Sequence, residues 1–402
     1  MTSVKLKFRP SVCPDKEGAL FFQVIRHRAV RKIKSKYRIY NGEWDGDSGQ
    51  IVLPAQASSR HSLLLVVRLG VEWELRTLQC IVSECDRTGG EYGVDDVVAR
   101  YESSVSSGAG VFGFIRELIA GKKLLGKIRS SETYQATLNS FMRFRHGIDL
   151  SFGMMDAGLM ELYETELRSR GLARNTTSFY MRILRTIYRQ AVERGLTEDR
   201  HPFKHVYCGM DKTLKRCLSL AEVKRLKGLD LSSMPTLDFA RDMFIFSFCT
   251  RGMSFVDMAY LKKSDLKNGY LTYQRRKTGQ RLTIEWTRQM QDILDKRGPT
   301  TTQYLLPIIL REDGSERRQY QNQMMKINRR LKDVARLARL KAPLSLYYSR
   351  HSWATIARGK DVPLSVISEG LGHDSEITTQ IYLDSIRSSE VDKANRRILK
   401  DL

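Results

Sequence analysis

The 402-residue chain predicts a mainly helical α+β protein: a small N-terminal β-sheet domain, a four-helix domain and a mixed, mostly helical third domain. Three observations lead there. Strand-like alternation is confined to residues 1–40 and to a hairpin near 269–286. Four amphipathic stripes at helical spacing run from Val111 to about Arg200. Two polar stretches, Cys85 to Gly110 and His201 to Leu218, interrupt the apolar patterning and read as linkers.

The elements follow in order. Leu20, Phe22 and Val24 alternate with Phe21, Gln23 and Ile25, and alternation resumes from Lys32 to Ile39 beyond a polar break at Arg26–Arg28. Period two on both sides of a break predicts an antiparallel sheet. Eleven Lys/Arg against two Asp/Glu in residues 1–40 give it one basic face, and Asn41-Gly42 and Asp45-Gly46 are the turns that close it. Residues 58–83 read as a helix. Past the first linker come stripes of Phe112, Ile115, Leu118 and Ile119, then Tyr134, Leu138, Phe141 and Phe144, then Leu159, Leu162, Tyr163 and Leu167. Gly171 ends that third helix, and Asn175-Thr176-Thr177 starts a fourth through Tyr180, Leu184, Ile187 and Tyr188. Its polar face carries Arg174, Arg182, Arg185 and Arg189, either a solvated face or one that meets a polyanion. Beyond the second linker, Pro235 to Cys249 is one apolar helix and Ser254 to Leu261 another. Residues 269–274 and 281–286 flank Lys277-Thr278-Gly279 as a hairpin.

Lys and Arg number 68 against 45 Asp and Glu, a net charge of +23. A chain this basic attracts nucleic acid or an anionic membrane, while 41% hydrophobic residues exclude a disordered basic tail. Cys13, Cys80, Cys85, Cys208, Cys217 and Cys249 are scattered without a CxxC pair. That opposes a zinc ribbon or a secreted disulfide scaffold and fits a reducing cytosol. The N-terminus lacks the apolar core of a signal peptide, and the most apolar stretch, Leu63 to Val82, holds Arg68, Glu72, Glu74 and Arg76 and is no membrane span. A soluble, cytosolic protein that seeks a polyanion is expected.

Four boxes then occur in order: Cys249-Thr-Arg251-Gly-Met-Ser254-Phe-Val-Asp257, the Arg275-Arg-Lys277-Thr-Gly279 hairpin, Tyr347-Tyr-Ser-Arg350-His351, and Leu371-Gly372-His373 with Tyr382 nine residues on. In this order and spacing they resemble the tyrosine recombinase (phage integrase) family, and the upstream layout resembles its mobile-element integrases. The resemblance implies an arm-type DNA-binding domain plus linker at 1–105, a helical core-binding (SAM-like) domain at 106–205 and a catalytic domain at 206–402. It covers essentially the whole chain, more strongly from residue 111 onward.

The family attacks a DNA phosphodiester with a tyrosine oxygen, expels the 5′ oxygen and keeps the bond energy in a 3′-phosphotyrosyl link, so neither ATP nor a metal or other cofactor is expected. By resemblance Tyr382 is the nucleophile, Lys277 protonates the departing oxygen, and His373 donates to the phosphate. Arg350, a planar fork of donors, suits the charge that grows on the non-bridging oxygens. Each has a plainer competitor: Tyr382 as a helix turn, Lys277 as a hairpin-tip lysine, His373 as a helix cap after Gly372. His351 reads as a packing residue.

Two positions depart from the family. Ser254 stands where its first-box arginine belongs, two residues after Gly252, and with Asp257 it reads as a capping box. Arg251 is expected to supply the missing guanidinium, with Arg241 as second choice. Tyr347 stands where the family usually has His. The implied DNA contacts are Arg26, Arg28, Arg31 and Lys32 on the sheet and Arg174, Arg182 and Arg185 on the fourth helix.

The expected function is therefore an integrase that inserts or excises a mobile element. It would act in the cytoplasm, nucleoid-associated and with no membrane partner, as a homotetramer on double-stranded DNA with core and arm sites, with host DNA-bending or excision factors as further partners. A site-specific invertase with the same chemistry and a non-catalytic DNA-binding relic are the competing readings. The apolar tail residues Val391, Ile398, Leu399 and Leu402 suggest docking on a neighbour or an ordinary end helix.

Overall fold

The computed structural model describes residues 2–55, 58–106, 110–211, 217–373, 375–376 and 379–380. Tyr382 and the apolar tail lie outside the described residues. The chain divides into two compact units, Met1–Lys212 and Thr213–Leu402. Among the described residues no helix is long and apolar enough to cross a membrane.

The first unit opens with strands β1 (Ser3–Arg9), β2 (Gly18–Arg26) and β3 (Ala29–Ile39), antiparallel in that order. His27 and Arg28 join β2 to β3 with φ of 46° and 69°, the paired left-handed turn whose twist suits a two-residue hairpin. Leu20, Phe22 and Val24 on β2, with Ile33, Tyr37 and Ile39 on β3, face a core. The ladder shifts between Ala19 and Phe21 by two residues of β3, an even number, so odd positions of β3 stay inward throughout. Asn41–Glu43 forms a 3-10 turn, and Asp45-Gly46 opens the turn between β4 (Trp44–Asp45) and β5 (Gln50–Ile51).

Helix α1 (Ser59–Arg87) starts at Ser58, whose hydroxyl accepts from the His61 amide, and runs four residues beyond the expected end. The stretch 85–110 is not a linker throughout: Val94–Ser106 forms helix α2. Its glycines lie outside the helix, Gly89, Gly90 and Gly93 before it and Gly108 and Gly110 after it in sequence, and the Gly93 amide donates to the Asp96 carboxylate at 2.7 Å. Val94, Val97 and Tyr101, three and four residues apart, pack into the sheet's core. The polar residues between them set the local composition, and the buried stripe sets the structure.

A second core in this unit gathers α3 (Val111–Leu124), α4 (Ile128–Phe144), α5 (Ala157–Ser169) and α6 (Arg174–Glu193). Asp156 caps α5 through the Leu159 amide at 2.8 Å, and Gly171, at φ 74°, follows its end. Helix α6 begins one residue earlier than its Asn-Thr-Thr signal suggests. Asn175 lies in the first turn, where its side chain exchanges two hydrogen bonds with the Asp211 backbone. The two cores meet where Lys36 donates to the Asp149 carbonyl and Trp73 Nε1 to the Gly153 carbonyl. There the Arg145 guanidinium is wholly buried, its three nitrogens without a hydrogen-bond partner among the described residues.

The second unit is built around α8 (Pro235–Cys249), buried on nearly every side. Around it lie α7 (Leu220–Lys227), α10 (Arg288–Arg297), α11 (Glu316–Leu337) and α12 (Tyr347–Arg358). A short α9 (Phe255–Ala259) leads to an antiparallel sheet of β6 (Leu266–Lys267), β7 (Tyr270–Gln274) and β8 (Arg281–Glu285). The hairpin pairs Tyr270 with Glu285 and Gln274 with Arg281. Leu271, Tyr273, Leu282 and Ile284 point inward. Helix α13 (Leu364–Leu371) ends on Gly372 in the left-handed conformation, φ 64°.

Candidate active site

Four pieces of the second unit converge: the α8–α9 loop, the β7–β8 loop, the first turn of α12 and the end of α13. Arg350, buried on α12, is held at both ends of its fork. Its Nη1 donates to the Gly252 carbonyl at 3.0 Å and its Nη2 to the Leu371 carbonyl. The same Nη2 lies 3.1 Å from His373 Nε2, and His373 Nδ1 lies 2.7 Å from Thr379 Oγ1. Hydrogen bonding thus assigns the imidazole its acceptor lone pair on Nε2 and its proton on Nδ1. Ser247 Oγ, 2.6 Å from Ser349 Oγ and donating to the Met253 carbonyl, ties α8 and its loop to α12 beneath the arginine.

Gly252 is required at its place twice over. Its φ is 75°, and a Cβ there would come within 2.5 Å of the Arg350 Cα. Arg251, also left-handed at φ 58°, borders the site; its Cδ is close enough to α13 that a Cβ on Gly370 would sit 3.6 Å away. Ser254 caps α9: its hydroxyl donates to Asp257 Oδ2 at 2.7 Å and accepts from the Asp257 amide. Asp257 Oδ1 in turn accepts from the Arg276 amide at 2.9 Å, binding α9 to the hairpin loop. Arg241 is a structural cation instead, donating to Asp238, Asp242 and the carbonyls of Lys227 and Leu229.

Lys277 is exposed in the β7–β8 loop and has no side-chain partner among the described residues. Tyr347 is 62% exposed, its ring edge-on to His351 at 4.5 Å, while His351 itself is buried. The structure therefore brings Arg350 and His373 into contact, sets Arg251 at their border, and leaves Lys277 and Tyr347 on the surface. Tyr382 lies outside the described residues.

One residue escaped the sequence reading. Arg275 is 8% exposed and donates through Nη1 to the Gly372 carbonyl. The signal was present: inward alternation along β7, Leu271 then Tyr273, continues to Arg275. The Tyr273 phenol reports the crowding of charge here. Burial pushes its pKa far up, Asp257 adds to the rise, and the charges of Arg350, Arg275 and Arg251 oppose it.

In the first unit, strand parity divides the sheet's cations. Lys5 and Lys7 on β1 and Lys32 and Lys34 on β3 are exposed, in cross-strand rows through Gln23 and Phe21. Arg28 is exposed in the turn. Arg26 and Arg31 point the other way, toward the helices. Arg26 stacks 3.7 Å over Tyr92 and reaches Asp86; Arg31 is paired with Asp95 at 2.6 Å. The expected single basic face is thus two faces. On α6, Arg174 pairs with Asp211 and lies 3.8 Å over Tyr207, whereas Arg182 and Arg185 are half-buried without ion pairs among the described residues.

Residues 110–206 match the phage integrase SAM-like domain family. No curated protein sequence matches the chain. Among solved structures, a lambda integrase dimer bound to a COC′ core site aligns over 94% of this chain and 95% of its own at 14% identity, with a TM-score of 0.55. A lambda integrase tetramer bound to a Holliday junction aligns over 86% and 92% at 16% identity, TM-score 0.52. The Tn1549 transposon integrase, in complex with a circular intermediate DNA, aligns over 71% of this chain and 100% of its own at 12% identity, TM-score 0.50. At such identities the likeness is one of fold.

Proposed function

We propose that this chain, which has the tyrosine recombinase fold and a phage integrase SAM-like domain, is a site-specific DNA recombinase that cuts and rejoins strands through a 3′-phosphotyrosyl link. The observation that carries the reading is the contact of Arg350 with His373 at the junction of α12 and α13, nine residues before a tyrosine. Arg350, preorganised by two carbonyls, receives the non-bridging oxygens of the scissile phosphate. Tyr382 Oη forms the new bond to phosphorus and releases its proton to solvent water as the P–O5′ bond breaks; the departing 5′ oxygen takes a proton from the Lys277 ammonium, which is later reprotonated from solvent. Resealing runs the same steps backward with a 5′ hydroxyl as nucleophile. His373 supports the phosphate, and Tyr347, at the exposed mouth, contributes a phenol donor to it.

Integration or excision of a mobile element is the finer reading. The exposed lysine rows of the N-terminal sheet suit an arm-site contact, and Arg182 and Arg185 of α6 suit the core site. By analogy with the lambda integrase assemblies, the working form is a homotetramer joining two duplexes.

A nicked suicide duplex tests the chemistry, because loss of the strand end traps the covalent link. Nicked duplexes tiled across the DNA flanking the coding region should include one that yields a protein–DNA adduct, abolished by Tyr382→Phe. No adduct across the whole set would refute the enzyme reading.

A further inference from the structure

The arginine that would share the phosphate with Arg350 is replaced by Ser254, whose hydroxyl is engaged in capping α9. We propose that Arg275, from the β7–β8 hairpin, is the second phosphate ligand; this rests on the strand-exchange reading above. Arg275 and Arg350 donate to consecutive carbonyls, Gly372 and Leu371, at the end of α13. Adjacent Cα atoms are about 3.8 Å apart, so the two guanidinium groups are anchored within one peptide of each other. The acceptor end of a helix, with its partial negative charge, is a natural anchor for paired cations.

The tether uses Nη1 of Arg275; among the described residues its Nε and Nη2 make no hydrogen bond and can serve a ligand. A fork fixed on one arm loses little freedom when it closes on an oxyanion, the preorganisation that makes such donors effective. Two neighbouring guanidinium charges favour an anion between them. Arg251 lies nearby but makes no side-chain hydrogen bond among the described residues, so it must be ordered when substrate arrives. The hairpin gains a double role: Arg275 at its base holds the phosphate, and Lys277, two residues on at its tip, protonates the leaving oxygen.

The test compares a scissile phosphate with a methylphosphonate, in which one charged oxygen is replaced by a neutral methyl group, on the adduct-forming duplex. On phosphate, Arg275→Ala should slow adduct formation by about 100-fold or more, and Arg275→Lys, which keeps the charge but not the fork, should fall between it and wild type. On methylphosphonate, wild type and Arg275→Ala should cleave at rates within about threefold of each other, because there is little charge left to neutralise. A residue that only shapes the loop would slow both substrates equally, and that result overturns the proposal. So does wild-type cleavage of phosphate by Arg275→Ala, or a phosphate-specific loss in Arg251→Ala without one in Arg275→Ala. Thermal melting identifies an unfolded alanine variant, in which case Arg275→Lys decides: equal slowing on both substrates refutes the ligand role. If wild type itself forms no adduct on any duplex, the strand-exchange reading fails and this proposal with it.

Discussion

Gly252 illustrates how tightly single residues determine this site. The loop that carries it presses on the backbone of Arg350, and its carbonyl holds one arm of that arginine. Gly252→Ala adds a methyl group where none fits and forces a side chain into the left-handed region, at about 1–3 kcal/mol. The expected outcome is a lowered melting temperature together with adduct formation reduced by at least about tenfold, read on the suicide duplex. Such a requirement is legible in the sequence as a glycine between Arg251 and Met253, though its reason is not, since the neighbour it touches is 98 residues away. The same holds for Ser254. Its capping pattern was readable from Asp257 three residues on, because a cap is local. The partnership of Arg275 with Gly372 was not, because it depends on where β7 and α13 meet.

Elements were readable in proportion to how strongly their apolar period stood out. The hairpin of β7 and β8 and the stripes of α3 to α6 carry clean periods, the central α8 is largely apolar, and each is where its pattern places it. Helix α2 is hidden in the sequence because flanking glycines and its own acidic residues dilute a stripe in which, among the described side chains, Val94, Val97 and Tyr101 are buried. On the sheet, alternation is legible in the sequence, and parity sends Lys32 and Lys34 outward and Arg26 and Arg31 toward the helices. A clear contrast follows. Lys32→Ala with Lys34→Ala should leave melting unchanged and reduce the slope of log affinity against log salt by about two, one per phosphate contact. Arg26→Ala, which removes a stacked and partly buried cation, should leave the slope unchanged and lower stability by about 1–2 kcal/mol. Arg31→Ala should do little to either, since an exposed ion pair contributes under about 1 kcal/mol. Salt titrations on arm-site DNA and thermal melts separate the three.

At the scale of the whole chain, the cores set the order of unfolding. Two compact units divide it, and the first contains two cores joined by Lys36, Trp73 and the buried Arg145. Calorimetry should therefore resolve two transitions rather than one. Phe22→Ala in the sheet core and Phe141→Ala in the helical core should lower the same transition, each by about 3–5 kcal/mol, while Leu331→Ala should lower only the other. Independent melting of Phe22→Ala and Phe141→Ala would mean that the sheet and the four helices are separate cooperative bodies. The net charge of +23 divides at this scale too: exposed lysines on the N-terminal sheet carry part of it, while Arg350 and Arg275 lie buried in the second unit.

The hydrogen bond from His373 to Thr379 has a consequence for timing. Thr379 stands three residues before Tyr382, a reach of at most about 11 Å of extended chain. A tyrosine that swings farther than this slack must drag Thr379 with it and release the imidazole's Nδ1. The histidine then loses the Thr379 acceptor that selects its tautomer. Under the proposed strand exchange, this bond ties the histidine that faces Arg350 to the segment of chain that leads into Tyr382.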